Sequence, residues 1–274
     1  ASMESYASIF NIIRSVQPQE VYHLAAQSFV DYSFEDEFST INTNLNGTHY
    51  VLSAIKESSP KSRFYFAGSS EMFGKAQNSP QNEKTPFHPR SPYGVAKLFG
   101  HWATVNYRES YDMYAVSGIL FNHESPLRGE EFVTRKVTKA VAAHYQNRNL
   151  ILELGNLDAK RDWGFAGDYI EAMWLILQHE RSEDFVIATG ETHAVSEFLD
   201  ETFRILDLDW KEYVEIDPRY YRPVEVDLLQ GDAAKARKLL GWEPKVDFKT
   251  LVKMMVESDM KLAEKEKLIA DNSI

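Results

Sequence analysis

The feature that most constrains the fold of this chain is a threefold repetition in which a helical segment leads into a short apolar segment. Each first segment carries apolar residues at helical spacing, and each second segment has the length and content of a buried strand. The three pairs are residues 9–16 with 20–26, 45–55 with 63–67, and 93–111 with 115–121. Helices that alternate with strands in this way predict a parallel sheet flanked by helices.

The second half of the chain is less regular and is expected to mix helices, strands and loops. Periodicity predicts helices at about 167–179, 195–206, 233–240 and 248–267 and a strand at 185–189. Asp232 is suited to cap the start of the helix at 233–240, and Gly241 is suited to end it.

Composition excludes several classes of partner. The 274 residues include 30 basic and 41 acidic side chains, and the net charge of -11 repels nucleic acid. There is no cysteine, which excludes disulfides and thiolate metal sites and gives no sign of an oxidising compartment. No apolar run is long enough to cross a membrane, and the first residues do not resemble a signal sequence. We therefore expect a cytoplasmic protein without nucleic-acid or membrane partners.

Polar residues follow each of the three predicted strands. In an open parallel sheet the ligand lies beyond the carboxyl ends of the strands, so these residues are candidates for a binding site. Serine, asparagine and glutamate also begin turns, and for any single strand that simpler interpretation is preferred. The three segments are Ala26-Gln27-Ser28, Ser69-Ser70-Glu71 and Asn122-His123-Glu124.

Tyr93 and Lys97 form a candidate acid-base pair near the start of a predicted helix. Ser91 is suited to cap this helix, and a spacing of four residues places Tyr93 and Lys97 on one face. A nearby ammonium favours the phenolate and lowers the pKa of a tyrosine, which can then accept a hydroxyl proton. A pair at this spacing is also common in core packing, so alone it is weak support. Ser69, after the preceding strand, could hold the same substrate oxygen.

Ser69, Tyr93 and Lys97, in this order on a parallel sheet, resemble the catalytic triad of short-chain dehydrogenases/reductases. Residues 22–26 resemble the strand beside the nicotinamide in that family. Longer motifs narrow the resemblance to the GDP-mannose 4,6-dehydratase family, from the first helix to about Lys265. These motifs are Leu-Ala-Ala-Gln-Ser at 24–28, Ser-Ser-Glu-Met-Phe-Gly at 69–74, Asn-His-Glu-Ser-Pro-Leu-Arg-Gly at 122–129, Phe-Val-Thr-Arg-Lys at 132–136, and the segments 154–164 and 222–227.

The resemblance implies an α/β fold in which a Rossmann-like parallel sheet flanked by helices accompanies a smaller mixed α/β substrate-binding domain. Residues 1–121 and 161–190 would form the cofactor domain, and residues 122–160 and 191–274 the sugar-nucleotide domain. The family begins with a βαβ unit whose Gly-rich turn holds the pyrophosphate of the cofactor, and no such glycine pattern occurs here. We therefore expect the first βαβ unit to be missing and the chain alone to be poorly stable or self-associating.

The resemblance also implies an activity, the conversion of GDP-mannose to GDP-4-keto-6-deoxy-mannose with internally recycled NADP. Tyr93 would deprotonate the C4 hydroxyl, Ser69 would position it, and Lys97 would tune Tyr93 and hold the nicotinamide ribose. Glu71 would remove the C5 proton and help the C6 hydroxyl to leave as water.

Further site residues are assigned by the same resemblance. The implied cofactor contacts are Leu24, Ala25, Ala26, Gln27, Ser28, Lys97, His123 and Arg128. The implied substrate contacts are Ser70, Asn122, Lys136, Asn156, Arg161, Arg222 and Glu225. Apart from the resemblance, these charged residues read as solvated surface groups. His123 beside Glu124 lacks the further ligands of a metal site, so no metal is expected.

Two alternatives stay open at this point. One is another NAD(P)-dependent sugar-nucleotide dehydratase or epimerase, and the other is a catalytically inactive fragment that binds sugar nucleotides. The resemblance further implies a homo-oligomer, either a dimer or a tetramer.

Overall fold

A computed structural model describes residues 1–145, 151–221, 224, 226 and 228–271. The α-helices in this part of the chain are α1 (Tyr6–Val16), α2 (Tyr32–Glu35), α3 (Glu37–Ile41), α4 (Gly47–Ser58), α5 (Pro92–Tyr111), α6 (Val133–Tyr145), α7 (Ala166–Gln178), α8 (Val195–Arg204), α9 (Ala234–Leu240) and α10 (Phe248–Asp271). The strands are β1 (Glu20–His23), β2 (Arg63–Ser69), β3 (Ala115–Leu120), β4 (Asn122–Glu124), β5 (Leu152–Leu154), β6 (Lys160–Arg161), β7 (Trp163–Phe165), β8 (Phe185–Ile187), β9 (His193–Ala194) and β10 (Val214–Ile216).

The central feature is a four-stranded sheet in the order β1-β2-β3-β8. All three strand pairings in it are parallel. The register pairs Ser69, at the end of β2, with Leu120 at the end of β3, and pairs Leu120 with Ile187 of β8. The carboxyl ends therefore meet along one edge. This arrangement confirms the predicted Rossmann-like α/β fold.

Helices cover both faces of the sheet because side chains alternate along each strand. In β2, Phe64 and Phe66 point to one face and pack into a buried core with residues of α1 and α4, such as Leu52. Tyr65 points to the other face and packs with Tyr169 of α7. Strands buried on both faces read as nearly continuous apolar runs, which explains the sequence of β2 and β3.

A separate apolar core lies among α6, α8 and α10. Val137, Phe198, Leu251 and Met255 are buried in it, together with Trp163 from β7. Three short pairings accompany this core in the described part of the chain: β5 with β10 and β4 with β7 are parallel, and β6 with β9 is antiparallel. The β4 and β7 pairing brings the segment after β3 next to the segment before α7.

Some local predictions are corrected by the structure. The predicted cap Asp232 does not lie at the N-cap of α9, which is Ala233, although its carboxylate accepts a hydrogen bond from the Ala234 amide at 2.9 Å. Gly241 ends α9 as predicted, because its φ of 66° lies in the left-handed region that glycine tolerates. None of the helices in the described ranges is long and apolar enough to cross a membrane.

Candidate active site

A cavity of about 420 Å³ lies at the carboxyl edge of the sheet, and we refer to it as the central cavity. Most of the residues selected from the sequence line it, although they come from segments far apart in the chain. These residues are Leu24, Ala26, Ser28, Ser69, Ser70, Glu71, Tyr93, Lys97, Asn122, His123, Arg128, Lys136, Asn156 and Arg161. The structure thus brings the ends of β1, β2 and β3 and the start of α5 to one site.

Ser69 and Glu71 are placed by a tight turn after β2. The Ser69 hydroxyl accepts a hydrogen bond from the Glu71 amide at 3.2 Å, and a single 3₁₀ turn follows at Ser70–Met72. This turn buries the Glu71 residue, which is 7% exposed, in the wall of the central cavity. The carboxylate of Glu71 and the hydroxyl of Ser69 are therefore brought to the same part of the cavity wall.

The start of α5 places Tyr93 and Lys97. Ser91 caps the helix as predicted, because its hydroxyl accepts a hydrogen bond from the Gly94 amide at 3.0 Å. A Cβ at Gly94 would lie 2.8 Å from the Glu71 carbonyl oxygen, so glycine allows this close approach of the helix to the turn. Lys97 Nζ lies 5.8 Å from the centroid of the Tyr93 ring.

The pKa of Tyr93 differs from the sequence-based expectation. Burial raises this pKa to about 12, and the carboxylate of Glu71 raises it too. A hydrogen bond with Ser69 and the charge of Arg128 act in the opposite direction without offsetting burial. The prediction that Tyr93 would have a lowered pKa is therefore wrong, because desolvation of the phenolate outweighs the nearby positive charge.

Lys97 is a buried cation with unused hydrogen-bonding capacity. Burial lowers its pKa to about 8. Its Nζ donates a hydrogen bond to the Ala67 carbonyl oxygen at 2.9 Å. An ammonium has three donors, and within the described residues this is its one hydrogen bond, so two donors remain for hydroxyl groups in the cavity.

His123 is held as a neutral, oriented imidazole. Its Nδ1 donates to the Phe121 carbonyl oxygen at 2.9 Å, and its ring stacks on Tyr169 with centroids 5.0 Å apart. Burial lowers the pKa of His123 to about 4. The Nε2 atom is therefore an acceptor at neutral pH, since Nδ1 carries the proton.

Arg128 forms part of the cavity wall through contacts with Glu124 and Phe132. Its Nε lies 3.1 Å from Glu124 Oε2, and its guanidinium carbon lies 3.5 Å from the centroid of the Phe132 ring. Glu124 is buried and accepts a hydrogen bond from the Thr134 hydroxyl at 2.6 Å. Burial raises the pKa of Glu124, and the charge of Arg128 opposes this shift.

Two further cations line a different part of the cavity wall. Lys136 Nζ donates to the Glu153 carbonyl oxygen at 2.7 Å and lies 3.9 Å from the centroid of the Tyr220 ring. Arg161 is 8% exposed and donates to the Val226 carbonyl oxygen at 2.7 Å. The main-chain carbonyls thus help to orient both side chains at the cavity.

Four predicted contacts are not placed in the cavity wall. Neither Ala25 nor Gln27 lines the cavity. The backbone of Gln27 instead forms two hydrogen bonds with the side chain of Asn44, at 2.8 and 2.9 Å. Arg222 and Glu225 lie outside the described residues. All four stay predictions.

The cavity also contains residues that sequence reasoning missed, several of them aromatic. Phe132 and Thr134 lie in the same motif as Lys136 and could have been selected with it. Tyr220 has no comparable signal, because it reaches the cavity through a long-range contact. The missed lining residues include Phe29, Glu131, Phe132, Thr134, Trp163 and Tyr220.

A metal site is not supported in the described ranges. No group of three or more histidine, aspartate or glutamate side chains there could hold an ion. The cavity is lined by hydroxyl groups, several cations and the carboxyl side chains of Asp31, Glu71, Glu124 and Glu131.

The fold and the cavity define the class of protein. An open parallel sheet with serine, tyrosine and lysine at its carboxyl edge is a short-chain dehydrogenase/reductase scaffold. RMD from Pseudomonas aeruginosa in complex with NADPH is similar, with a TM-score of 0.86 and 23% identity over 95% of this chain and 87% of that one. UDP-glucose 4-epimerase from Thermotoga maritima with UDP-glucose is also similar, with a TM-score of 0.85 and 25% identity over 96% and 84% of the two chains.

Sequence comparison specifies the family. The family model for GDP-mannose 4,6 dehydratase matches residues 1–255. GDP-mannose 4,6 dehydratase 2 from Arabidopsis thaliana is 54% identical over 275 residues, which cover 99% of this chain and 74% of the relative. GDP-mannose 4,6 dehydratase from Homo sapiens is 48% identical over 273 residues, which cover 93% and 73%. The chain belongs to the GDP-mannose 4,6-dehydratase family.

Proposed function

We propose that this chain converts GDP-mannose to GDP-4-keto-6-deoxy-mannose with NADP that is recycled within each turnover. The observation that carries the proposal is the position of Glu71 in the same cavity wall as Ser69, Tyr93 and Lys97. An epimerase or a reductase removes no water from its substrate and so needs no carboxylate for that step. The family membership supports the same substrate and cofactor.

The residues of the cavity fit the nicotinamide half of NADP. Lys97 offers two donors to ribose hydroxyls, and Leu24 and Ala26 supply an apolar wall beside it. Ser28, His123 and Arg128 complete the proposed contacts. When bound, NADP supplies the nicotinamide ring that accepts a hydride from the sugar C4 and returns it to C6.

Tyr93 and Ser69 are assigned the removal of the proton from the C4 hydroxyl. We expect the Ser69 hydroxyl to hold the C4 hydroxyl beside the Tyr93 oxygen, and the phenolate to take the hydroxyl proton. The raised pKa of Tyr93 makes this step depend on neighbouring positive charge. The charge of Arg128 lowers this pKa, and Lys97 Nζ lies 5.8 Å from the centroid of the Tyr93 ring. The same phenol can then protonate C5 when the hydride is returned to C6, so that the product keeps its ketone at C4.

Glu71 is assigned the elimination step. A ketone at C4 acidifies the C5 proton, which the Glu71 carboxylate can then remove. The protonated carboxyl next donates to the C6 hydroxyl, which leaves as water. One side chain therefore moves the same proton from C5 to the leaving oxygen, and no external acid is needed.

The sugar nucleotide is proposed to lie toward Lys136 and Arg161. Both side chains line the cavity, and charged donors of this kind suit a diphosphate. Ser70, Asn122 and Asn156 supply polar groups along the same wall. Arg222 and Glu225 remain part of the proposal on the family resemblance alone.

The proposed domain division is supported in part by the separate cores. Most of the core among α6, α8 and α10 would belong to the sugar-nucleotide domain, and most of the cores against the sheet to the cofactor domain. Some contacts cross the proposed boundaries: Ala236 and Trp242 pack with the sheet, and Trp163 packs with the other core. A cytoplasmic location remains part of the proposal and rests on composition.

A homo-oligomer is supported by an exposed apolar stripe on α5. Val95, Phe99 and Trp102 are 51%, 37% and 56% exposed and lie at helical spacing on one face. Phe38 of the adjacent helix α3 is 82% exposed. Exposed patches of this kind often mark contacts between proteins.

The proposal is tested by incubating the chain with GDP-mannose and NADP and following the sugar nucleotide by mass spectrometry. A product that has lost one water and carries a 4-ketone is expected. GDP-glucose serves as the control substrate, which tests whether the sugar stereochemistry matters. Binding of GDP-mannose without any loss of water would contradict the enzymatic proposal and favour a binding module.

A further inference from the structure

The carboxyl-terminal helix contributes a buried ion pair on the far side of the loop that carries Arg128. Asp259 of α10 and Arg135 of α6 have side chains only 1% and 9% exposed. Arg135 Nε donates to Asp259 Oδ1 at 2.8 Å, and the Thr138 hydroxyl donates to Asp259 Oδ2 at 2.6 Å. Both carboxylate oxygens are therefore bonded to α6.

The same guanidinium also holds the loop between β4 and α6. Arg135 Nη1 donates to the Pro126 carbonyl oxygen, and it donates to the Arg128 carbonyl oxygen at 3.0 Å. One side chain thus links α10 to two carbonyls of the loop. On the other side of the loop, the Arg128 side chain contacts Glu124 and Phe132 in the cavity wall.

We propose that Asp259 and Arg135 are positioning residues, which fix the loop at Pro126 and Arg128 and thereby hold the Arg128 guanidinium in the wall of the central cavity. The effect of this positioning on cofactor binding rests on the function proposed above, whereas the positioning itself does not. Neither residue lines the cavity.

The chemistry of the pair favours positioning over simple stabilisation. Desolvation makes a buried ion pair a weak source of stability, and an apolar pair of similar volume often serves as well. An apolar pair could not donate to the loop carbonyls. Lysine could not replace arginine either, since its single nitrogen lacks the planar fork that reaches a carboxylate and two carbonyls together.

The direct test is tryptic cleavage of the bond between Arg128 and Gly129, followed by mass spectrometry on native protein. In Asp259→Asn the guanidinium loses its charged partner, and we expect cleavage at this bond about tenfold faster, because cleavage of a rapidly opening loop follows its opening equilibrium. The matched control is Asp184→Asn, which breaks the similarly short Arg108 pair of 2.8 Å in the sheet region. Equal cleavage rates in Asp259→Asn and the wild type, or equal acceleration in both variants, would overturn the proposal.

Arg135→Lys is the second variant, in case Asp259→Asn does not fold. It keeps a positive charge beside Asp259 but cannot hold both carbonyls, so the same acceleration at the Arg128 bond is expected. An unchanged rate in a folded Arg135→Lys protein contradicts the positioning role.

A functional readout separates positioning from general destabilisation. We expect Asp259→Asn to raise the KM for NADP about tenfold in the wild-type background and to have no further effect on an Arg128→Met background, since coupled residues are not additive. Additive losses would mean that Asp259 acts elsewhere. If the wild type itself shows no turnover, the proposed function fails, and the cleavage result still decides the positioning.

Discussion

At the scale of one residue, the buried ammonium of Lys97 lowers the stability of the folded protein. Its ammonium is buried, and burial lowers its pKa from 10.5 to about 8. The folded protein therefore bears a desolvation cost of about 3 kcal/mol at neutral pH, at about 1.4 kcal/mol for each pKa unit. The cost is complete below pH 8, where the lysine is charged in both states. It disappears as the pH rises past 10.5, where the unfolded chain is neutral too.

Lys97→Met is expected to increase the free energy of unfolding by about 1–3 kcal/mol at pH 7, because the buried charge disappears while one hydrogen bond to Ala67 is lost. The gain should shrink as the pH is raised toward 10. Urea unfolding at pH 7 and pH 9.5 measures it, with the exposed Lys253→Met as control. A gain that is independent of pH would contradict the buried-charge account. Turnover should be lost.

At the scale of secondary structure, the close contact between the start of α5 and the turn after β2 is expected to set the distance between Tyr93 and Glu71, the proposed acid-base groups. Gly94 allows this contact, since a Cβ there would lie 2.8 Å from the Glu71 carbonyl oxygen. The carbonyl belongs to the backbone and cannot rotate away. A larger residue must therefore move the helix or the turn.

Gly94→Ala is expected to lower kcat at least about a hundredfold, because small displacements of catalytic groups cost that much. The free energy of unfolding should fall by only about 1–3 kcal/mol, the usual cost of overpacking. The matched control is Asn106→Ala, at an exposed position of the same helix outside the cavity and the apolar stripe. Steady-state kinetics and urea unfolding measure both effects. A Gly94→Ala protein with wild-type kcat would show that this contact does not set the geometry.

At the scale of the whole molecule, the apolar stripe on α5 predicts how copies of the chain associate. Trp102 is 56% exposed in this stripe, whereas Trp174 on α7 is 52% exposed in a different region. Trp102→Glu places a charge in the proposed contact and is expected to weaken self-association at least about tenfold, since a buried unpaired charge costs several kcal/mol. Light scattering after size-exclusion chromatography gives the mass.

Trp174→Glu is the matched control, with a similar exposure and the same chemical change. It should leave the mass of the oligomer unchanged. If Trp174→Glu dissociates the protein and Trp102→Glu does not, the interface lies on α7 instead of α5. A wild type that is monomeric at every concentration contradicts the proposed oligomer.

Local patterns allowed much of the fold to be predicted. The spacing of Tyr93 and Lys97 and the cap at Ser91 are properties of one helix, and the polar ends of β2 and β3 follow from strand direction. The pKa of Tyr93 could not be predicted, because its sign depends on how completely the folded chain buries the ring. The ion pair of Arg135 and Asp259 could not be predicted either, since its members lie 124 positions apart in the sequence.

The central claim is that Glu71 carries out the dehydration, and Glu71→Gln tests it most directly. The variant keeps the size of the side chain and removes the base, so a single turnover with GDP-mannose and NADP should show formation of NADPH at 340 nm but a loss of water slowed at least about a hundredfold. Mass spectrometry measures the loss of water in the same samples. Water loss at the wild-type rate in Glu71→Gln would contradict the account, because another group would then remove the C5 proton.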